Sequence, residues 1–167
     1  MSLCAYKFIM GKKKQKKNIV RVPLQIIDVQ GEGYHLLLKI KLFNRLFTLV
    51  LDTGASKTAF DHTLLTAASG NAVITASDML STGLGTNCMV SSTISVSDLY
   101  IGDLLVKEFE AAVLDLSTIN VAYRQIGQPE VLGVLGGDVL MKYKAVIDYS
   151  KQLLKLKQKG SSRMLQV

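Results

Sequence analysis

The residues of this chain best placed for chemistry are Asp52, Thr53 and Gly54, which follow directly on the apolar run Leu46–Leu51. A strand ending in Asp-Thr-Gly sets a carboxylate on a tight turn, where glycine lets the backbone bend back and another chain approach closely. Such a carboxylate is suited to taking or giving a proton, although the same three residues alone also make an ordinary turn. Asp138 and Asp148 are weaker candidates: neither is followed by Thr-Gly or Ser-Gly, Asp138 stands where it would cap a helix, and Asp148 precedes a turn. His35 and His62 are isolated and read as surface or packing residues; with Cys4 and Cys88 they show no metal-ligand spacing. Ser56 with Asp61 and His62 stays open as a hydrolase set by residue type, although their local arrangement supports no triad geometry. Gly83-Leu84-Gly85 reads as a hairpin tip; as a dinucleotide loop it fails, because Cys88 occupies the place of the third glycine and no helix pattern follows. Val134–Asp138 has the strand, glycines and helix start of an anion site, but Asp138 puts negative charge where a phosphate would sit. No metal and no cofactor are expected.

The elements that must position Asp52 are short strands. Val20, Val22, Leu24 and Ile26 alternate with polar residues, and Leu36, Leu38, Ile40 and Leu42 alternate with His35, Leu37, Lys39 and Lys41. Asn44-Arg45 predicts a tight hairpin turn, whose return arm Leu46–Leu51 delivers Asp52. Asp61 is placed to cap a short helix through Ala68. Ile74–Leu80 and Asn87–Ser97 predict a long hairpin around Ser81–Thr86, and Leu99–Val106 and Glu108–Leu114 predict further strands. Ser117–Glu130 reads as irregular or partly helical. Val131–Leu135 is a short, nearly all-apolar strand, Asp138 precedes a brief helix over Val139–Tyr143, and Ala145–Asp148 and Gln152–Leu156 close the pattern as terminal strands. Turn signals every ~8–12 residues argue an all-β barrel rather than a βαβ array.

Composition narrows the class further. A chain of 167 residues fits one domain, and its apolar runs are far shorter than the ~18 residues of a membrane span. The charge of +7 is uneven. Six lysines precede Asn18 and five cations follow Ser150, leaving nine positive against thirteen negative residues between, a net of −4. The Lys12–Lys17 block predicts a flexible, solvated arm over residues 1–18, and residues 159–167 a tail, with the folded domain at 19–158. An acidic body with basic ends disfavours a nucleic-acid partner. No secretory leader pattern is present: Asn18–Asp28 is interrupted by Arg21, Pro23, Gln25 and Asp28, and Met10 could serve as the start. Two cysteines imply no disulfide framework, and a cytoplasmic setting follows.

The order of Leu49-Val50-Leu51-Asp52-Thr53-Gly54-Ala55-Ser56, a glycine-tipped hairpin roughly thirty residues on, and Val134-Leu135-Gly136 before a short helix resembles the retropepsin-like aspartic proteases. The likeness spans about Tyr34 to Leu156 and is firmest at Leu51–Ser56, at Gly133–Leu140 and at Ala145–Tyr149. It implies an acid-protease-like closed barrel with one short C-terminal helix. It also implies that Asp52 is the catalytic aspartate, within an active-site loop of Thr53, Gly54, Ala55 and Ser56. By the same likeness Thr53 locks two such loops together, Gly54 binds substrate backbone, Gly83, Leu84 and Gly85 form the flap tip, and Leu135, Gly136 and Asp138 support the site. Retroviral members carry Asp where this chain has Ser56 and Arg where it has Gly137, an ion pair whose two halves are absent here together. That resembles the cellular and bacterial branches.

Hydrolysis of an amide by carboxylates needs one group to take a proton from water and another to give one to the carbonyl oxygen. This chain offers a single Asp-Thr-Gly, so the resemblance implies a homodimer in which Asp52 of each copy faces the other across a two-fold axis. Two carboxylates about 3 Å apart cannot both be charged and share one proton. The expected function is an aspartic endopeptidase acting on polypeptides, with no membrane partner. The alternative is a catalytically silent peptide-binding module of the same fold, although a pure binder has little use for two facing carboxylates.

Overall fold

The computed structural model describes residues 19–69, 74–83 and 86–158, with the backbone alone for 74–83 and 86–91. The lysine arm at 1–18 and the tail at 159–167 lie outside the described residues, as do Leu84 and Gly85.

The alternating segments form the strands β1 (Ile19–Asp28), β2 (Tyr34–Leu42) and β3 (Arg45–Leu51), followed by β4 (Ala59–Asp61) and helix α1 (His62–Ser69). The long hairpin is β5 (Ile74–Gly83) with β6 (Thr86–Val96), and β7 (Leu99–Ile101), β8 (Leu104–Val106) and β9 (Phe109–Leu114) follow. Helix α2 (Ser117–Gln125), strand β10 (Gly133–Leu135), helix α3 (Gly137–Lys142), and strands β11 (Val146–Asp148) and β12 (Leu153–Lys157) complete the described chain. It is an all-β architecture with a few short helices.

The strands follow one path, β11-β12-β1-β2-β3-β10-β4-β9-β6-β5, with β7 and β8 attached at β2. The two ends of the path, β11 and β5, are not paired with each other, so the closed barrel anticipated from the resemblance is an open sheet. Strand β1 pairs with β12 over Ile19–Pro23 and then with β2 over Leu24–Asp28, which joins the terminal hairpin to the rest of the sheet.

Two local readings shift. The β2–β3 turn is Phe43-Asn44, one residue earlier than Asn44-Arg45, since Leu42 pairs with Arg45. Both turn residues have positive φ, 49° and 60°, which matches the right-handed twist of the flanking strands. The Asp98 carboxylate accepts the Phe43 N–H at 3.2 Å and braces that bulky residue in its strained conformation. Leu37, assigned by alternation to the polar face of β2, is buried. It joins Ile27, Tyr123 and Val131 in a second apolar cluster, formed because α2 covers that face of the sheet.

The main core lies on the other face, built around Leu38, Ile40, Leu49, Phe60, Leu132 and Leu135. Each such side chain contributes ~1.5–3 kcal/mol on burial, and together they fix β3, β10 and β4 side by side. Among the described residues no helix is long and apolar enough to cross a membrane, and no three His, Cys, Asp or Glu side chains cluster as metal ligands.

Candidate active site

Strand β10 is the hub. It runs parallel to β3, pairing Gly133 with Leu49 and Leu135 with Leu51, and antiparallel to β4, pairing Gly133 with Phe60. Three strands meeting this closely leave no room for side chains at two crossings. A Cβ on Gly133 would lie 1.9 Å from the Ala59 carbonyl oxygen, and one on Gly136 would lie 2.5 Å from the Lys57 carbonyl carbon. Gly136 belongs to the motif read from the sequence. Gly133, the tighter of the two, was marked there only by the general likeness.

Beyond β3 the chain turns. The Asp52 N–H donates to the Leu135 carbonyl at 3.1 Å, the last link to β10. The Gly54 and Ala55 N–H groups then point back and donate to Asp52 Oδ1 at 2.8 and 3.3 Å. One carboxyl oxygen is thereby committed to holding the loop, and Oδ2 has no hydrogen bond among the described residues. Asp52 is half-buried, while Thr53, Gly54 and Ser56 are exposed. A Cβ on Gly54 would sit 3.2 Å from Oδ1, tight enough to disturb this turn.

The loop is pinned from below by the start of α3. The Gly137 N–H donates to the Ala55 carbonyl at 2.8 Å and the Asp138 N–H to the Ser56 carbonyl at 3.1 Å. Where retroviral members use an ion pair between these two segments, the link here is made by backbone. Asp138 is not the residue before the helix, as anticipated, but lies in its first turn, with Gly136 at the N-cap. Its Oδ1 accepts from Val139 N–H at 2.7 Å, Thr58 N–H at 3.0 Å and Thr58 Oγ1 at 2.7 Å. Thr58 Oγ1, fully buried, in turn accepts the Gly136 N–H at 3.1 Å. Thr58 thus ties the Asp52 loop to α3 from the middle of a stretch with no recognisable motif, and nothing in its local sequence announces that role.

Asp52 opens onto a cleft of about 380 Å³ whose apolar walls include Val50, Leu116, Ile119 and Val134. Helix α2 makes one wall, docked by the buried Asn120: its Nδ2 donates to the Val131 carbonyl at 3.2 Å and its Oδ1 accepts the Val131 N–H at 2.8 Å. His35 and Tyr123 also line the cleft. Sequence reasoning left His35 as a surface or packing residue and did not single out Tyr123 or Asn120. The observed ladder pairs Leu37 with Val50, a register that differs from the one implied by a turn at Asn44-Arg45, so the sequence carried no reliable signal for His35.

Of the anticipated flap, Gly83 ends β5 and pairs with Thr86 across the hairpin, while Leu84 and Gly85 fall outside the described residues. The hairpin connects to the site through the ladder β6-β9-β4-β10.

The family model described as "Aspartyl protease" matches residues 38–139, from the middle of β2 into α3. Among solved structures, the chain is similar to a retropepsin-like aspartic protease from Rickettsia conorii, with 19% identity over 86% of this chain and 94% of that one and a TM-score of 0.49. It is also similar to the retroviral protease-like domain of Ddi1 from Leishmania major, with 12% identity over 75% of this chain and 90% of that one and a TM-score of 0.49. No curated protein matches the chain.

Proposed function

Because this chain belongs to the aspartyl protease family, in its retropepsin-like form, we propose that it is an endopeptidase whose active unit is a homodimer, with Asp52 from each copy forming the catalytic pair. The observation that carries this reading is the state of the Asp52 carboxyl group: one oxygen is held by the N–H groups of its own loop, the other is left for chemistry, and the chain contains a single Asp-Thr-Gly. One such group cannot act as base and acid in the same step, and a second copy supplies the partner by symmetry.

In the dimer the two carboxyl groups hold one proton between them. The charged member takes a proton from water as the water oxygen adds to the peptide carbonyl carbon, and the neutral member gives its proton to the carbonyl oxygen. Proton return to the amide nitrogen then releases the amine as the C–N bond breaks. Exposed Thr53 and Gly54 are available to the partner loop and to substrate backbone, and the β5–β6 hairpin is the cover that excludes water. Leu135, Gly136, Thr58 and Asp138 hold the loop in place without taking part in proton transfer.

Two measurements on a mixed peptide library test this reading. Wild-type protein cleaves and Asp52→Asn does not; identical product profiles for both would remove the proteolytic assignment and leave a peptide-binding module. Specific activity also falls on dilution through the dimer dissociation constant, because a monomer has half a site. Undiminished activity in a demonstrably monomeric sample would contradict the paired arrangement.

A further inference from the structure

The cleft beside Asp52 is apolar except for a few groups, and one of them is specifically oriented. His35 Nδ1 lies 2.7 Å from the Tyr123 hydroxyl, with the two rings 5.8 Å apart and tilted by 31°. Tyr123 is 3% exposed, whereas His35 is exposed at the mouth of β2. In the β2–β3 ladder, paired residues put their side chains on the same face. Leu37 pairs with Val50, and His35, Val50 and Asp52 all line the cleft.

The hydrogen bond also bears on which nitrogen is free. A hydroxyl carries one proton, and burying it without an acceptor costs free energy. Either ring tautomer fits the contact between Nδ1 and the Tyr123 hydroxyl; the one in which the phenol donates to Nδ1 keeps the buried hydroxyl proton paired. Burial pushes the Tyr123 phenol up to about 12, which keeps that proton in place. With Nδ1 accepting, an uncharged imidazole carries its proton on Nε2 as a donor, and His35 is among the residues that line the cleft.

We propose that His35, oriented by Tyr123, is a specificity-determining residue that selects peptides carrying a carboxamide side chain, Gln or Asn, next to the scissile bond. A carboxamide oxygen satisfies the Nε2–H. An apolar side chain of the same size leaves that donor unpaired as water is excluded, and a site built to hydrogen-bond a group discriminates against analogues lacking it. A carboxylate would accept the same bond but would sit beside the negative charge held on the Asp52 pair, so Gln is preferred to Glu. Val50, Leu116 and Val134 remain available to the aliphatic part of the side chain.

This inference rests on the cleft being the substrate site, and its test reads selectivity in two ways. Three peptides identical except for Gln, Glu or Met next to the cut are compared by kcat/KM in wild type, His35→Phe and Tyr123→Phe. The Gln-over-Met ratio is expected to be about tenfold in wild type, near unity in His35→Phe and intermediate in Tyr123→Phe. An unchanged ratio in His35→Phe, or an equal loss on all three peptides, overturns the proposal. So does a wild type that prefers Met or Glu to Gln. The same peptides, fluorescently labelled, are titrated into Asp52→Asn with and without His35→Phe. A Gln preference in binding that vanishes with His35, in a protein whose wild type cuts nothing, would uphold this subsite while removing the proteolytic reading.

Discussion

Two aspartates end neighbouring strands on either side of β10, and they have opposite fates. Asp52 closes β3 and donates its N–H to Leu135, while Asp61 closes β4 and donates its N–H to Leu132 at 2.6 Å. The Asp61 side chain is 2% exposed, with both oxygens engaged: Oδ1 accepts the Leu64 N–H at 2.8 Å as the cap of α1, and Oδ2 accepts the Leu116 N–H at 2.9 Å ahead of α2. Asp52 spends one oxygen on its own loop and lines the cleft, with no bond to the other oxygen among the described residues. A carboxyl group with both oxygens bonded to backbone cements elements together, and one with an oxygen left over keeps the freedom that the proposed chemistry needs.

Exchanging the two side chains for neutral ones separates these roles. The largest effect is Asp52→Asn, where peptide cleavage should fall by about 10³-fold or more with the urea midpoint unchanged; a wild-type rate would erase the contrast. Asp61→Ala should do the reverse in kind. One buried and one part-buried N–H lose their acceptor, and stability should drop by ~3 kcal/mol, measured by urea unfolding, with the surviving folded fraction still cleaving peptide. Loss of less than about 1 kcal/mol would mean that water replaces the carboxyl group and that Asp61 is no cement.

Thr58→Val sharpens the comparison from below, because it removes the Oγ1 that links Asp138 to Gly136 while keeping the buried shape. A stability loss of ~1–2 kcal/mol should come with a lower kcat, since the Asp52 loop rests on this link; intact kcat would show that the Gly137 and Asp138 backbone bonds suffice. The smallest effect concerns a third aspartate. The Lys155 and Ser150 side chains hold the Asp148 carboxyl down to about 2, below its usual 3.8. The stability it lends is present above its unfolded value and is lost as pH falls through that window. Asp148→Asn should therefore flatten the fall of Tm between about pH 4 and 2, and an unaltered slope would assign the acid sensitivity elsewhere. Lys155 and Asp148 are partly exposed, so the change should be small.

Much of the framework was legible because it depends on short-range rules. The alternation of Leu38, Ile40 and Leu42 predicts a half-buried strand wherever it occurs, and Asp61 caps α1 as its position before an apolar helix requires. What alternation could not reveal is that both faces of β2 are covered. Leu37 is buried only because α2 crosses the outer face, and α2 itself, with just nine residues, lacks a strong signal in the sequence. Sheet closure was likewise out of reach, since it depends on pairing between strands far apart in the chain.

Residue periodicity was enough to read the all-β class and the strand that delivers Asp52, because alternation acts over a few neighbouring residues. Tertiary packing alone ties Thr58 to Asp138, presses Gly133 against Ala59 and sets His35 in the lining of the same cleft as Asp52. Those relations join residues as much as eighty positions apart, through contacts set by how β3, β10, β4 and α2 pack rather than by anything written next to the residues concerned.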